Sequence, residues 1–509
     1  MKLSYLVLVG VATLTLSACG SDSAPPTKTD GGTDLADVAP RVPDAPVDLP
    51  KPQTDTPLPG PETATPPVDV AAVEVATPLP DAPETPIDVA QPQIDVFQPG
   101  IDAPTVDGGQ AGEAGQPRID AGVVVLDGGV KVNGALVELR RENFQSVIDG
   151  KNTDLYTIKN SKGMFAKITN LGAKFEQVVV PDRDGVFGDV VLGYETVDTV
   201  KNGQGSMGAF ISRYANRIGG GTFALDGKTY TIAINEAAPK NNLLHGGDKG
   251  SRFRVFDATQ ISDSQVQMRL THLDAEDANV ATSMTGFPGT LVVKVTYTVT
   301  EANEIEIAYT ATTDKKTVIN FTGHTFWNLG NSPTTPILDH VVKVNADKVL
   351  EINDRLLPTG VLRDVTATPM DFRTAKPFRQ DYQANYDLLN LVGGGDGGKA
   401  GGYDNHYALN KTTSGALTFA ASAYEPVSGR MMEVWSTEPG VQLFTGTNLV
   451  GQVPRDVGKG GVTYQKYYGF CMEPSHFPDS PNQPSFPSTT LSPGETYTGT
   501  ILYKFSAVP

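Results

Sequence analysis

The stretch LVVKVTYTV at Leu291–Val299, followed closely by EIEIAY at 304–309, decides the fold. Apolar and polar side chains alternate in both segments, which is the period of a β-strand with one buried face. The same alternation recurs in shorter runs, such as FAKI at 165–168. Turn residues separate the runs, and the pair Asp226-Gly227 favours a two-residue hairpin. This pattern predicts an all-β sandwich or barrel that forms one large domain over residues 131–509.

The chain has 509 residues and a net charge of −18, but the charge is unevenly distributed. Residues 20–130 contain 19 acidic and 4 basic residues, 20 of the 38 prolines and one aromatic residue, Phe97. This segment therefore carries −15 of the charge, and with Lys2 at +1 about −4 remains for residues 131–509. Such a composition predicts a disordered, Pro/Asp/Thr-rich acidic tether over residues 19–130. The folded domain has no basic patch, which argues against nucleic-acid binding.

The N-terminus has the pattern of an export signal. Lys2 precedes an apolar run over 3–16, which is too short to span a bilayer. The following Leu16-Ser17-Ala18-Cys19 resembles the bacterial lipobox, so we expect a signal peptide over residues 1–18 and a lipid anchor on Cys19. The alternative is an ordinary cleaved signal with an incidental cysteine. Because Gly20 rather than Asp follows, we expect a cell-envelope lipoprotein of the outer membrane, facing the periplasm or the medium.

The chain has two cysteines, Cys19 and Cys471. If Cys19 carries lipid, Cys471 has no partner within the chain, and the exported domain must be stable without a disulfide. In the run Phe470-Cys471-Met472 the second cysteine is predicted to be a buried strand residue rather than a nucleophile.

Three residues stand in unusual settings. His245 precedes two glycines in NNLLHGG, His324 lies among aromatic residues in FTGHTFWNL, and Glu473 closes GFCME. Alternation along that last run places Glu473 on the same face as Cys471, near the end of a strand. Each residue alone has an ordinary alternative: a hydrogen-bonded histidine, a loop histidine and a surface glutamate. Generic chemistry indicates only a His/Glu acid–base site.

Six motifs occur in a fixed order along the folded region. They are NRI at 216–218, LHGG at 244–247, HTFWNL at 324–329, GYD at 402–404, PGVQ at 439–442 and GFCME at 469–473. Together they closely resemble the aldose 1-epimerase (galactose mutarotase) family over about residues 137–506. The resemblance implies a large antiparallel β-sandwich, a free aldohexose such as glucose or galactose as substrate, and no metal or other cofactor. The sequence leaves the oligomeric state open, and we expect a monomer.

The resemblance also implies roles for individual residues. Glu473 would be the general base that takes the proton from the anomeric hydroxyl, and His324 the general acid that protonates the ring oxygen. His245 would bind nearby and stabilise charge. The side chains implied to hold the sugar hydroxyls are Asn216, Arg217, Asp404 and Gln442. Arg217 would grip two hydroxyls with its planar fork.

The lipid anchor, the tether and departures from the family pattern leave a second function open. Gly323 stands where the family usually has Asn, so a hydrogen bond that orients His324 would be missing. Asn405-His406 replaces the commoner His-Asn order, which makes His406 only a minor candidate contact. The alternative to an anomer-interconverting enzyme is a catalytically impaired sugar-binding envelope lipoprotein on the same fold. Epimerisation of hexose 6-phosphates is disfavoured by export and by the lack of additional Arg or Lys for a phosphate.

The remaining aromatic and histidine residues have mainly structural interpretations. Trp327 could stack on a sugar or belong to the core. His272, His340 and His476 are expected at the surface or in turns.

Overall fold

The computed structural model describes residues 123–125, 131–133, 136–331, 333–392 and 401–508. All of them belong to one compact unit that spans Ala111–Pro509. The predicted signal peptide, the lipidation residue Cys19 and the predicted tether lie outside the described residues, except for one strand. That strand, Val123–Val125, pairs with Lys131–Asn133 and so precedes the predicted domain start at residue 131.

The described residues fold mainly as strands. In chain order these are β1 (Val123–Val125), β2 (Lys131–Asn133), β3 (Ser146–Ile148), β4 (Lys151–Thr153), β5 (Leu155–Lys159), β6 (Phe165–Thr169), β7 (Lys174–Pro181), β8 (Phe187–Asp189), β9 (Ala209–Ile211), β10 (Arg217–Gly219), β11 (Thr222–Leu225), β12 (Lys228–Thr231), β13 (Asn242–Leu244), β14 (Asp257–Ser262), β15 (Gln265–His272), β16 (Leu291–Val299), β17 (Glu304–Thr313), β18 (Thr317–Val318), β19 (Thr322–His324), β20 (Val341–Val344), β21 (Lys348–Ile352), β22 (Pro358–Asp364), β23 (Lys376–Pro377), β24 (Asp404–Ala408), β25 (Thr418–Tyr424), β26 (Arg430–Ser436), β27 (Gly440–Phe444), β28 (Cys471–Ser475), β29 (Thr490–Leu491) and β30 (Tyr497–Ala507). The α-helices are α1 (Val197–Asn202) and α2 (Asp387–Val392). Short 3-10 turns cover Arg141–Phe144, Ser251–Phe253, Val280–Thr282, Ile337–Asp339, Phe378–Gln380, Lys459–Gly461 and Ser480–Asn482.

Three large sheets make up the architecture. A nine-stranded sheet has the order β14-β15-β16-β17-β30-β26-β25-β20-β23, a six-stranded sheet the order β1-β2-β8-β7-β6-β5, and a five-stranded sheet the order β22-β21-β24-β27-β28. Neighbouring strands are antiparallel except for β2 and β8, which pair in parallel through Val132 and Phe187. The predicted all-β sandwich is therefore confirmed, with this one parallel pairing as an exception to the antiparallel rule.

The stretch that predicts the fold lies inside the largest sheet. β16 and β17 pair from Leu291 opposite Thr313 to Val299 opposite Ile305. On one face of β16 the side chains from Leu291 to Val299 at every second position are buried, whereas Val292 and Lys294 on the other face are partly and largely exposed, as alternation requires. Their side chains share one buried cluster with Val178 from the six-stranded sheet and Val441 from the five-stranded sheet. One continuous core thus joins the three sheets and fixes the strand ends that carry polar side chains.

Burial corrects two of the histidine expectations. His272 is buried, with Nδ1 2.9 Å from Glu276 Oε1 and Nε2 3.0 Å from Ser212 Oγ. His340 is buried as well, and its Nε2 accepts a hydrogen bond from the Leu329 amide at 3.0 Å. Both rings have polar partners inside the fold, which removes the cost of burying them. These partners are distant in sequence or depend on a turn, so local sequence did not indicate them.

Two further residues lie in the interior. Trp327 has no exposed surface and its ring lies 4.8 Å from that of Tyr503, so it belongs to the core rather than to a sugar-stacking surface. Cys471 is a buried free thiol on β28, as predicted. Among the described residues, no helix is long and apolar enough to cross a bilayer.

Candidate active site

Three groups of strands supply the candidate residues, and one of them is β19 paired with β9, which carries His324. β10 pairs with β13, so that Arg217 lies opposite Leu244 and next to the turn that carries His245. In the five-stranded sheet, β27 lies between β24 and β28 and places Gln442 opposite both His406 and Glu473. Cross-strand neighbours are only about 4.5–5.5 Å apart between Cβ atoms. The register therefore gathers side chains that are far apart in the sequence.

The turn after β13 explains the double glycine of LHGG. His245 has φ +51°, and Gly246 and Gly247 follow with φ +76° and +78°, a region that glycine adopts without strain. The His245 amide donates to the Asn216 carbonyl at 2.9 Å, and the Asn216 amide donates to His245 Nδ1 at 3.2 Å. Because Nδ1 accepts, a neutral His245 carries its proton on Nε2. This exchange of hydrogen bonds fixes His245 beside Arg217.

His324 and Glu473 form a buried pair. His324 Nε2 lies 3.5 Å from Glu473 Oε1, and both side chains are almost completely buried. The His324 ring stacks on Phe326 with centroids 5.3 Å apart and meets the edge of His245 at 5.1 Å. Cys471 Sγ lies 3.6 Å from His324 Nδ1. The imidazole is thus held between aromatic and sulfur contacts, with its Nε2 atom aimed at the carboxyl group.

Burial controls the protonation of this pair. It raises the pKa of Glu473 well above its usual range, and the nearby charge of Asp404 adds to the effect. It lowers the pKa of His324 to about 4 and that of His245 well below its ordinary value, with His324 contributing to the second shift. Desolvation disfavours every charged form, which explains the opposite directions for an acid and a base. A raised carboxyl pKa and a lowered imidazole pKa near one another are typical of acid–base sites.

The polar side chains near the pair line a small cavity. Gln442 Nε2 donates to Asp404 Oδ1 at 2.7 Å, and Gln442 Oε1 lies 3.2 Å from His406 Nδ1. The residues that line the cavity are Asn216, Arg217, Leu350, Ile352, Leu356, Pro358, Asp404, His406, Gln442 and Pro478. The four residues implied to bind hydroxyls therefore meet at one opening, and His406 joins them.

The Arg217 fork is already partly occupied. Nε and Nη2 of Arg217 donate to the two carboxylate oxygens of Glu236 at 2.7 and 2.9 Å. This edge of the guanidinium is therefore taken by a carboxylate, and Nη1 has no protein partner among the described residues. A bidentate pair of this kind orients the guanidinium plane. Glu236 thus aims the free edge of Arg217 at the cavity.

Glu236 was not predicted from the sequence, and His406 was predicted only as a minor contact. Glu236 lies in the connection between β12 and β13, and nothing in its neighbours indicates that it pairs with Arg217. His406 was detectable, because it is two residues beyond Asp404 on β24 and so lies on the same face of the strand.

A side chain at residue 323 would point toward the core. A Cβ atom at residue 323 would lie 3.5 Å from Ile307 Cδ1 and 3.5 Å from the Tyr503 hydroxyl, on the core side of β19. His324 points to the opposite face of the same strand. A side chain at position 323 would therefore meet Tyr503, whose buried hydroxyl has no hydrogen-bond partner among the described residues.

The donor atoms of His324, Cys471 and Glu473 lie within 4.8 Å of one another, a group that could hold a metal ion. An ion bound there would occupy the imidazole and carboxyl groups that the site offers for proton transfer. Without an ion, His324 and Glu473 can exchange protons with a polar ligand that contacts the polar side chains lining the cavity.

Comparison with known proteins agrees with this geometry. The family model for aldose 1-epimerase matches residues 154–504. Human galactose mutarotase is 36% identical over 344 residues, 67% of this chain and 90% of that protein. The aldose 1-epimerase of Escherichia coli is 30% identical over 361 residues, 70% of this chain and 97% of that protein. A solved aldose epimerase homologue from C. elegans has a TM-score of 0.61 at 28% identity, covering 70% of this chain and 100% of that chain.

These relatives, named galactose mutarotase and aldose 1-epimerase, place the chain among the isomerases. The chain belongs to the aldose 1-epimerase family.

Proposed function

We propose that this protein interconverts the α and β anomers of free hexoses, with glucose and galactose as candidate substrates. The observation that carries the proposal is the buried contact of 3.5 Å between His324 Nε2 and Glu473 Oε1. It lies beside a wall of side chains suited to hydroxyl groups. A pyranose has hydroxyls around its ring and two oxygens on the anomeric carbon. Interconverting its anomers therefore requires both hydroxyl-binding side chains and an acid–base pair.

The chemistry requires two proton transfers. Opening the ring removes a proton from O1 and delivers one to O5; the C1–C2 bond then rotates and the same steps run in reverse. Glu473 takes the O1 proton and His324 supplies the O5 proton, so the site ends each half-reaction with as many protons as it began. Each positioned transfer is typically worth about 10²–10⁴-fold in rate. Asn216, Arg217, Asp404 and Gln442 hold the remaining hydroxyls.

The pair works with a single shared proton. Burial favours the neutral forms, in which Glu473 is protonated and His324 is not. Because the two atoms lie 3.5 Å apart, the same proton can pass to the imidazole. In that arrangement Glu473 is the base and His324 the acid, and the total charge of the pair is unchanged. The reactive form is thus reached without moving a net charge into the protein interior.

The pH dependence of kcat/KM should report this shared proton. Below about pH 4, His324 takes up a second proton while Glu473 keeps its own, and the pair then lacks a base. Above the raised pKa of Glu473 the pair holds no proton and lacks an acid. We therefore expect an acid limb near pH 4, followed by a plateau that ends at the raised pKa of Glu473, in rate measurements extrapolated to zero buffer. An acid limb at the ordinary histidine pKa of about 6.5 would contradict the buried, neutral imidazole.

Polarimetry tests the function directly. Fresh α-D-glucose and α-D-galactose are dissolved with and without the purified protein, and the decay of optical rotation is followed. Faster decay with protein supports the proposal. The alternative, a sugar-binding envelope lipoprotein without catalysis, predicts unchanged decay together with calorimetric sugar binding that Arg217→Ala abolishes. The second outcome would refute the enzymatic proposal.

We also propose that the domain is held at the cell envelope by lipid on Cys19. Support comes from Lys2, the apolar run over 3–16 and the Leu16-Ser17-Ala18-Cys19 sequence. Two acyl chains on Cys19 would anchor the protein firmly, whereas a single acyl chain binds a membrane only reversibly. Cys19→Ala is expected to move the protein from the membrane fraction to the soluble fraction on cell fractionation. Retention of the variant in membranes would show that another segment provides the attachment.

A further inference from the structure

Gln442 lies between two other polar side chains of the cavity, and its amide has only one consistent orientation. A carboxylate oxygen accepts hydrogen bonds, so the contact of 2.7 Å with Asp404 Oδ1 requires the NH₂ end of Gln442. The oxygen end then faces His406 Nδ1 at 3.2 Å and can only accept. His406 must therefore carry its proton on Nδ1 and donate it to Gln442.

His406 is closely enclosed by its surroundings. Its Nε2 atom is buried and has no hydrogen-bond partner among the described residues. That atom faces the backbone of β27, where a Cβ on Gly440 would come within 2.1 Å of it. The ring meets the edge of Phe477 with centroids 5.4 Å apart. A ring turned over would fill almost the same space but would place Cδ2 instead of Nδ1 against Gln442 Oε1, so the hydrogen bond selects the observed orientation.

Burial also keeps His406 uncharged. It lowers the pKa of the imidazole to about 3, while the contact with Gln442 and the neighbouring Glu438 act in the opposite direction and His476 lowers it further. The ring therefore stays neutral above about pH 3. A donor of fixed position and fixed charge is suited to orienting a neighbour rather than to moving protons.

We propose that His406 is a positioning residue, which fixes the Gln442 amide and through it the Asp404 carboxylate for sugar hydroxyls. The inference rests on the proposed function for its substrate class. With the amide fixed, one Gln442 N–H remains for a hydroxyl oxygen and Asp404 Oδ2 remains to accept from a hydroxyl. This donor–acceptor pair distinguishes sugars by the direction of a ring hydroxyl, which is the difference between glucose and galactose. A site built to hydrogen-bond a hydroxyl rejects a sugar that leaves its groups unpaired.

The variants His406→Phe and His406→Asn separate this role from packing. Phenylalanine keeps an aromatic ring against Phe477 but has no donor, whereas the Asn amide can place a donor close to the position of Nδ1. His406→Phe is expected to raise KM roughly tenfold with a much smaller change in kcat, as the loss of one buried hydrogen bond implies. It should also reduce the ratio of kcat/KM between the two epimers. His406→Asn should restore both, and Phe477→Leu serves as a packing control that keeps the donor.

A second measurement does not depend on catalysis. Nitrogen chemical shifts of the full-length protein labelled at histidine should show His406 protonated on Nδ1 near neutral pH. Protonation on Nε2, or a His406→Phe variant with unchanged KM and epimer ratio, would overturn the inference. If the parent protein does not accelerate mutarotation, the proposed function fails instead. Calorimetric affinity for both sugars then takes the place of KM in the same comparison of variants.

Discussion

Replacing Glu473 with Gln is expected to lower kcat for anomer interconversion by about 10²–10⁴-fold, the usual contribution of one positioned proton transfer. The amide has the shape of the carboxyl group and can still contact His324, but it cannot take the proton from O1. Sugar binding should change little, because the hydroxyl contacts come from other strands. Polarimetry at saturating sugar measures the rate, and calorimetry on the same sample measures the affinity.

Glu433→Gln provides the matched control, since Glu433 lies on β26 in the nine-stranded sheet, outside the cavity, and accepts a hydrogen bond from Trp435 Nε1 at 3.0 Å. Its rate should equal that of the parent.

The stability of the Glu473→Gln variant gives a second check. Burial raises the pKa of Glu473, so the unfolded chain binds fewer protons above the ordinary carboxyl pKa and stability falls as pH rises toward the raised value. Glu473→Gln should therefore melt no lower than the parent at pH 7. A variant that retained more than about a tenth of kcat would place the base elsewhere.

Replacing His324 with Gln should cause a loss of similar size, about 10²–10⁴-fold in kcat. The glutamine amide can occupy the position of Nε2 but cannot deliver a proton to O5. His340→Gln is the control, because His340 is a buried histidine that bonds the Leu329 amide away from the cavity. Its rate should be close to that of the parent if it remains folded, which circular dichroism would verify.

The double variant Glu473→Gln, His324→Gln tests whether the two residues act as one unit. Since they share a proton, removing the second should add little once the first is gone, and the combined loss should be far smaller than the product of the single losses. Multiplicative losses would show that the two groups act independently and would contradict the shared-proton description. His324→Gln with a normal rate would refute the assignment of the acid.

The alternation over Leu291–Val299 and 304–309 was sufficient to predict the all-β domain, because period-two burial is a property of the strand itself. The motif order was also sufficient to indicate the family, since each motif is a local string of residues. Glycine after His245 could be interpreted as a close approach of backbone, and the structure shows three consecutive residues with positive φ there. Strand alternation, the motifs and the glycine turn each depend on residues that are neighbours in the chain, so the sequence is enough to predict them.

Contacts between distant segments were decided only by the tertiary structure. Strand register brings Glu473 opposite Gln442 and within 3.5 Å of His324, and burial then shifts the pKa values of that pair in opposite directions. The pairing of Glu236 with Arg217 depends on how the connection between β12 and β13 folds back. The hydrogen-bonded burial of His272 likewise depends on the connection after β15, which carries Glu276. Desolvation and hydrogen bonding depend on the distance between groups after folding, and distance along the chain does not specify it. The sequence thus determined which chemical groups are available, and the packing of the large and two-stranded sheets against one another decided which of them meet.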